Sequence, residues 1–186
     1  MTQTQRKAAF PIDRARRFLE PGPVLLLCTR WKEERAIMTL GWHMMLGYDL
    51  VGTYIWNANH SHRLARHSRA CTLNLPTADL LDAVVRIGNC SSREGDKFER
   101  FGLTPVPSRV VDAPGIAECH AIFECELQET RITRDYPLFV WRIAHARVAR
   151  TPETPRTVHY RGEGRFMVSG KEVSRRRLFR PDMLEQ

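Results

Sequence analysis

Apolar residues in this chain gather in short runs separated by glycine, proline or charged clusters. Val24 to Thr29 (VLLLCT), Ala36 to Trp42 (AIMTLGW), Leu50 to Trp56 (LVGTYIW) and Ala70 to Leu75 (ACTLNL) each read as a β-strand, and the polar stretch Trp31 to Arg35 turns the first into the second as a hairpin. Further on, Cys119, Ala121, Phe123, Cys125 and Leu127 alternate with His120, Glu124 and Glu126, the period-two signature of a half-buried strand. Leu138 to Val148, Thr157 to Tyr160 and Phe166 to Val168 complete a β-rich back half.

Helical patterns are fewer and shorter. One covers residues 12–20 and must stop at Pro21-Gly22; another covers Ser61 to His67 around Leu64 and Ala65. Thr77 is placed to cap a third through Leu80, Leu81, Val84 and Val85 to Gly88. Ser91-Ser92-Arg93-Glu94 is a capping box for a fourth, which closes at Gly102, where a left-handed residue suits glycine. Many short strands with helices tucked between them predict a β-rich, closed barrel rather than a doubly wound sheet, and no GxGxxG follows the first strand.

Composition narrows the class. The 186 residues are 42% hydrophobic, enough to bury a core, and are expected to form one domain over 1–186 with a short N-terminal helix and a basic C-terminal tail. No run of 18 uncharged apolar residues would span a membrane, and the start of the chain lacks the apolar segment of a secretory signal, so a cytoplasmic location is expected. Cys28, Cys71, Cys90, Cys119 and Cys125 then read as free thiols. Cys119-His120 with Cys125, and His60 with His62, lack a fourth ligand, so no zinc site is expected. The net charge of +8 allows an anionic partner. Part of it sits in the tail at Arg175, Arg176 and Arg177, which reads as a solvated segment or as a contact for a phosphate-bearing ligand, a neighbouring subunit or nucleic acid. A nucleic-acid-binding protein is the alternative from another class; no helix-turn-helix or RNP signature, and no interleaving of aromatic with basic residues, supports it.

Three segments break local rules in a way that suggests a ligand. Met38-Thr39-Leu40-Gly41-Trp42-His43 places a glycine in a strand, a mark of close approach by a ligand or another backbone. Ala58-Asn59-His60-Ser61-His62 starts a helix, where N–H groups suit a phosphate. Gly88 to Phe98 gathers Cys90, Ser91, Ser92, Arg93, Lys97 and Phe98. Together they describe a site for a flat, partly apolar ligand that carries a phosphate.

The runs PGPVLLLCT, AIMTLGWHMMLGYDL, TLNLPTADLLDAV, GNCSSREGDKFERFGLTPVP and IAECHAIFECEL, in that order, resemble the flavin reductase-like and flavoredoxin family. The likeness runs from Pro21 to Val148, and its most specific part matches a G-x-x-S-x-R-x-x-D-K-F-x-x-x-G-L-T pattern. The resemblance implies a split β-barrel homodimer that binds FMN at the subunit interface. It implies that Met38, Thr39, Leu40, Gly41 and Trp42 lie along the flavin ring and that Ser61 reaches the phosphate, with His60 beside it. It further implies that Asn74 and Leu75 line the ribityl chain, and that Cys90, Ser91, Ser92, Arg93, Lys97 and Phe98 complete the pocket. Asn59 stands where the family usually has arginine, and Ser92 where it has glycine. The activity implied is that of an NAD(P)H-dependent flavin reductase, with NADH or NADPH passing hydride to the flavin and no side-chain acid, base or nucleophile required. A redox or monooxygenase partner takes the electrons, or else the protein is a flavoredoxin-type carrier that retains its FMN. Lys97 and Arg93 are assigned the electrostatic role and Trp42 and Phe98 the walls, and the segment His159 to Phe166 is expected to reach the partner subunit's flavin.

Overall fold

The computed structural model describes residues 6–14, 22–129 and 136–184. Its strands are β1 (Lys7–Ala9), β2 (Leu25–Trp31), β3 (Glu34–Leu40), β4 (His43–Met45), β5 (Leu50–Tyr54), β6 (Ala70–Leu75), β7 (Pro105–Val106), β8 (Gly115–Ile116), β9 (Ala121–Glu129), β10 (Leu138–Ala149), β11 (Val158–Tyr160) and β12 (Phe166–Val168). The helices are α1 (His60–Ser68), α2 (Leu81–Gly88) and α3 (Lys97–Arg100).

Eight strands form one antiparallel sheet in the order β3-β2-β6-β9-β10-β5-β4, with β1 also pairing to the far end of β10. This order puts β3 on one edge and β4 on the other, yet only Gly41 and Trp42 separate them in the chain. The sheet must therefore curl until its two edges stand side by side, and the twelve-residue β10, with register irregularities at Val140/Trp141 and Ile143/His145, lets it bend.

Curling makes an inside and an outside, and both are packed. Leu25 and Leu27 of β2 face an inner core with Leu73, Phe123 and Trp141, where Phe139 and Trp141 stack with centroids 5.3 Å apart. Leu26 and Cys28 face an outer core, covered by Val84 and Ile87 of α2 and Phe98 of α3. The unbroken apolar run of β2 is thus a strand buried on both faces, each large side chain worth about 1.5–3 kcal/mol on burial.

Most expected elements are present, with four corrections. The strand expected from Cys119 begins at Ala121 and is not half-buried: Glu124 on its second face is fully buried. Its carboxylate accepts from the N–H groups of Arg109 and Val110, both at 2.8 Å, and faces His145 Nδ1 at 3.2 Å. A charge can sit there because the loop supplies donors to it. The Ser91–Glu94 capping box forms, but over a 3₁₀ turn at Ser92–Glu94. The α-helix starts later, at Lys97, where Asp96 accepts from Phe98 N at 2.9 Å; Gly102 closes the segment at φ 62° as expected. Thr77 precedes a 3₁₀ turn, Ala78–Leu80, without a side-chain cap. Gly41 lies just beyond the end of β3, in the step between the sheet edges and not inside a strand. Of the helix expected over 12–20, residues 12–14 are helical and the rest lie outside the described residues.

Candidate functional site

The step from β3 to β4 is where a hollow opens. The N–H of Tyr54 donates to Trp42 O at 3.0 Å, fixing the step against β5, and an apolar hollow of about 620 Å³ lies beside it. Met38, Thr39, Leu40 and Gly41 form one wall, and Val84, Val85 and Gly88 of α2 form another. The helix can lie this close because its last residue has no side chain: a Cβ on Gly88 would stand 3.3 Å from Thr39 Cβ and Oγ1. Thr39 in turn donates to Val84 O at 2.6 Å.

Aromatic rings rim this end. Trp42 is 69% exposed and Trp56 58%, although a folding chain normally covers such rings, and Trp42 leans on Tyr54 with centroids 5.3 Å apart. Tyr160 and Phe166 come from the β11–β12 hairpin, which turns through Gly162, Glu163 and Gly164, all at positive φ. That hairpin lines the hollow of its own chain.

A second, polar hollow of about 500 Å³ continues from the first and shares Met38, Thr39, Asn59, Gly88 and Asn89 with it. His60 and Ser61 open α1 on one side; Cys90, Ser91, Ser92 and Lys97 face them. The first turn of α1 contains no acid, and Asn59 makes no side-chain cap, so helix N–H groups and their partial positive charge are left for an anion. His60 Nε2 lies 3.2 Å from Glu34 Oε2, which also accepts from Arg63 at 2.5 Å. Burial holds the His60 imidazole below its ordinary pKa, aided by the Arg63 charge; Arg93 acts in the same sense and Glu34 against it.

The opposite wall is held by side chains that have spent their hydrogen bonds. The buried Lys97 ammonium donates to three carbonyls, Ile37 O at 2.9 Å, Ile87 O at 2.8 Å and Cys90 O at 2.7 Å. Ser92 Oγ accepts from Ile37 N at 3.3 Å, and Ser91 Oγ accepts from Arg93 N at 3.2 Å. Lys97 and Ser92 therefore shape the wall more than they offer donors to a ligand.

Of the expected site residues, Met38, Thr39, Leu40, Gly41, Trp42, His60, Ser61, Cys90, Ser91, Ser92 and Lys97 line the two joined hollows. Arg93 is exposed and close enough to act on His60. Asn74, Leu75 and Phe98 do not line them. The Asn74 amide donates to Leu26 O at 3.0 Å and Thr72 Oγ1 at 2.9 Å and accepts from Ile116 N at 2.9 Å; Leu75 is in the inner core. Phe98 is in the outer core beneath the Arg35 guanidinium, 4.8 Å from its ring centroid. Sequence reasoning missed Val84 and Val85, which read as plain core positions of a helix, and Tyr54; the paired glycines between Tyr160 and Phe166 were the available sign of a tight aromatic hairpin.

Residues 16–167 match the family model described as the flavin reductase like domain. An uncharacterized protein of Archaeoglobus fulgidus is 33% identical over 115 residues, 61% of this chain and 65% of that protein, so the match spans just under two thirds of the relative's length. Among solved structures, the FMN-binding domain of a flavin reductase-like enzyme from Shewanella baltica superposes with a TM-score of 0.85 at 20% identity, covering 92% of this chain and 98% of that one. Flavoredoxin of Desulfovibrio vulgaris superposes with a TM-score of 0.75 at 22% identity, covering 83% and 90%. The curled sheet with its unpaired edges is the split barrel of these proteins.

Proposed function

Because the chain belongs to the flavin reductase-like family, we propose that its joined hollows hold FMN and that the protein is a flavin oxidoreductase drawing electrons from NADH or NADPH. The observation that carries this reading is the union of an aromatic-rimmed apolar hollow with a polar one at a helix start, across the shared residues Met38, Thr39, Asn59, Gly88 and Asn89. The donor set suits the group: an apolar wall for a flat ring at one end, and N–H groups with Ser61, His60 and Arg93 for a phosphate at the other.

Bound there, FMN supplies the redox chemistry, which is the cofactor's own. The chain's part is to position and to shield. Met38 to Trp42 present an apolar wall, and Thr39, tied to Val84, fixes its distance from α2. Lys97 holds β3, α2 and the loop after α2 together through its three carbonyls, so its role is positioning. Arg93 and the α1 start provide positive potential.

A second copy of the chain completes the site in this reading. Trp42, Met44, Leu46, Tyr48 and Trp56 are all large, exposed and on or beside the β4–β5 edge, an apolar surface of the kind that covered interfaces use. A ring bound against Met38 to Trp42 would be closed off from water when that surface is covered.

Titration with FMN, followed by its fluorescence and by co-elution on gel filtration, tests the reading. One FMN per chain and steady NADH or NADPH oxidation on adding free FMN are expected. Retained FMN without turnover assigns the flavoredoxin-type carrier role instead, and no flavin binding at tens of micromolar, a Kd range near −6 kcal/mol, overturns the reading.

A further inference from the structure

We propose that His60 is a proton-dependent ligand for the flavin phosphate, taking up a proton as the anion enters the polar hollow, so that preference for FMN over riboflavin grows as pH falls. The proposal rests on the flavin reading above and deepens it.

The geometry singles out this side chain. His60 is on the first turn of α1, a helix of nine residues whose start has neither an acid nor a side-chain cap, and its side chain is 8% exposed. Nε2 is directed at Glu34, while Nδ1 is buried and has no hydrogen-bond partner among the described residues. The ring is also a wall of the polar hollow, beside Ser61 and across from Ser91 and Asn89. An imidazole that lines a polar hollow at the start of a helix, with one ring nitrogen left without a partner among the described residues, is an arrangement that a hydrogen-bonding anion relieves.

The charged groups around it set the sign. Glu34 comes from β3 and is shared with Arg63 of α1; Arg93 and Glu94 come from the turn at Ser92–Glu94, and Lys97 from α3. The Lys97 ammonium donates its hydrogen bonds to three carbonyls, so it contributes charge without a free donor. Burial and the two arginines disfavour the imidazolium while the hollow holds no anion. A phosphate dianion in the same hollow offsets those arginines and adds an opposite charge next to the ring, so the bound state has the higher pKa. Binding and protonation are then linked: affinity is full below the free-state pKa and is lost as pH rises through the bound-state pKa. The phosphate's own second ionisation, near pH 6, bounds the window from below.

Calorimetric titration of the full chain with FMN and with riboflavin, from pH 6.5 to 8.5 in buffers of unequal ionisation enthalpy, tests this. FMN affinity should fall about tenfold across that range, the equivalent of one pKa unit, with net proton uptake; riboflavin affinity should be flat. His60→Gln should bind riboflavin as the parent does and bind FMN with a flat profile. In the parent, nitrogen-edited NMR of the histidine rings should show one imidazole becoming protonated on FMN addition at pH 7 and not on riboflavin addition, a readout that does not depend on the variant folding. FMN binding with no proton uptake, or with the same pH slope in His60→Gln, overturns the role of His60 and leaves the flavin reading standing. Failure of both flavins to bind overturns the flavin reading and the proposal together.

Discussion

Lys97 Nζ donates to the carbonyl of Ile37 at 2.9 Å, across the outer edge of β3. Ser92 Oγ engages both the N–H and the carbonyl of the same Ile37, so a side chain from the Ser92–Glu94 turn and one from the start of α3 occupy backbone groups that an edge strand otherwise leaves open. The edge that borders the hollow is thereby closed to pairing, and the loop that forms the hollow's far wall is fastened to it.

Replacing Lys97 should therefore act first on stability. Lys97→Met removes donors from the carbonyls of Ile37, Ile87 and Cys90, and should cost about 2–3 kcal/mol in urea unfolding. FMN affinity should fall only as the 88–97 loop loosens. A large loss of affinity with unchanged stability would make Lys97 a direct ligand.

Asn74→Ala should unfold the protein more easily without touching the site. It removes the side-chain partner of Leu26 O and Ile116 N in the interior and one of the two partners of Thr72 Oγ1, a loss of about 2–4 kcal/mol. Flavin affinity of the folded protein, measured by fluorescence titration, should match the parent.

Gly41→Val should do the reverse. A Cβ at Gly41 meets nothing within 4 Å and the residue has no left-handed backbone, so the fold should tolerate the change. The added methyls enter the apolar hollow, and FMN binding should weaken about tenfold or more while the thermal midpoint stays near that of the parent.

His120 should make the protein acid-sensitive. Burial, with the nearby Lys7 charge, pushes its imidazole down to about 4 from the ordinary 6.5. Between those values the unfolded chain binds a proton that the folded chain excludes, so stability present above pH 6.5 drains as pH falls toward 4. The loss should be on the order of 2–3 kcal/mol, read as the shift of the urea midpoint with pH, and His120→Gln should flatten that part of the profile.

Local pattern carried far. The strands of the front half, the helix at α1, the capping box and the left-handed Gly102 follow from propensity, alternation and turn chemistry, which act over a few residues. Even the segments that line the two joined hollows could be picked out, because a glycine beside an indole or a serine at a helix start is a local anomaly. The fates of Asn74 and Lys97 were not legible: a buried amide and a buried amine look like site residues until their distant partners, Leu26 and Ile116 for Asn74 and Ile37 for Lys97, are known.

The sequence by itself determined β2, β3, β5, β6 and β9 to β12, the helices α1 and α2, and which stretches carry polar groups out of place among apolar ones; β1, β4, β7 and β8 are too short to show a pattern. Only the tertiary structure decided that β3 and β4, joined by Gly41 and Trp42, stand at opposite edges of one curled sheet, and so that a hollow opens between them. The reason is that strand order depends on pairings such as Leu26 with Asn74 and Lys7 with Ala149, contacts between distant positions that the alternation of apolar and polar residues does not encode.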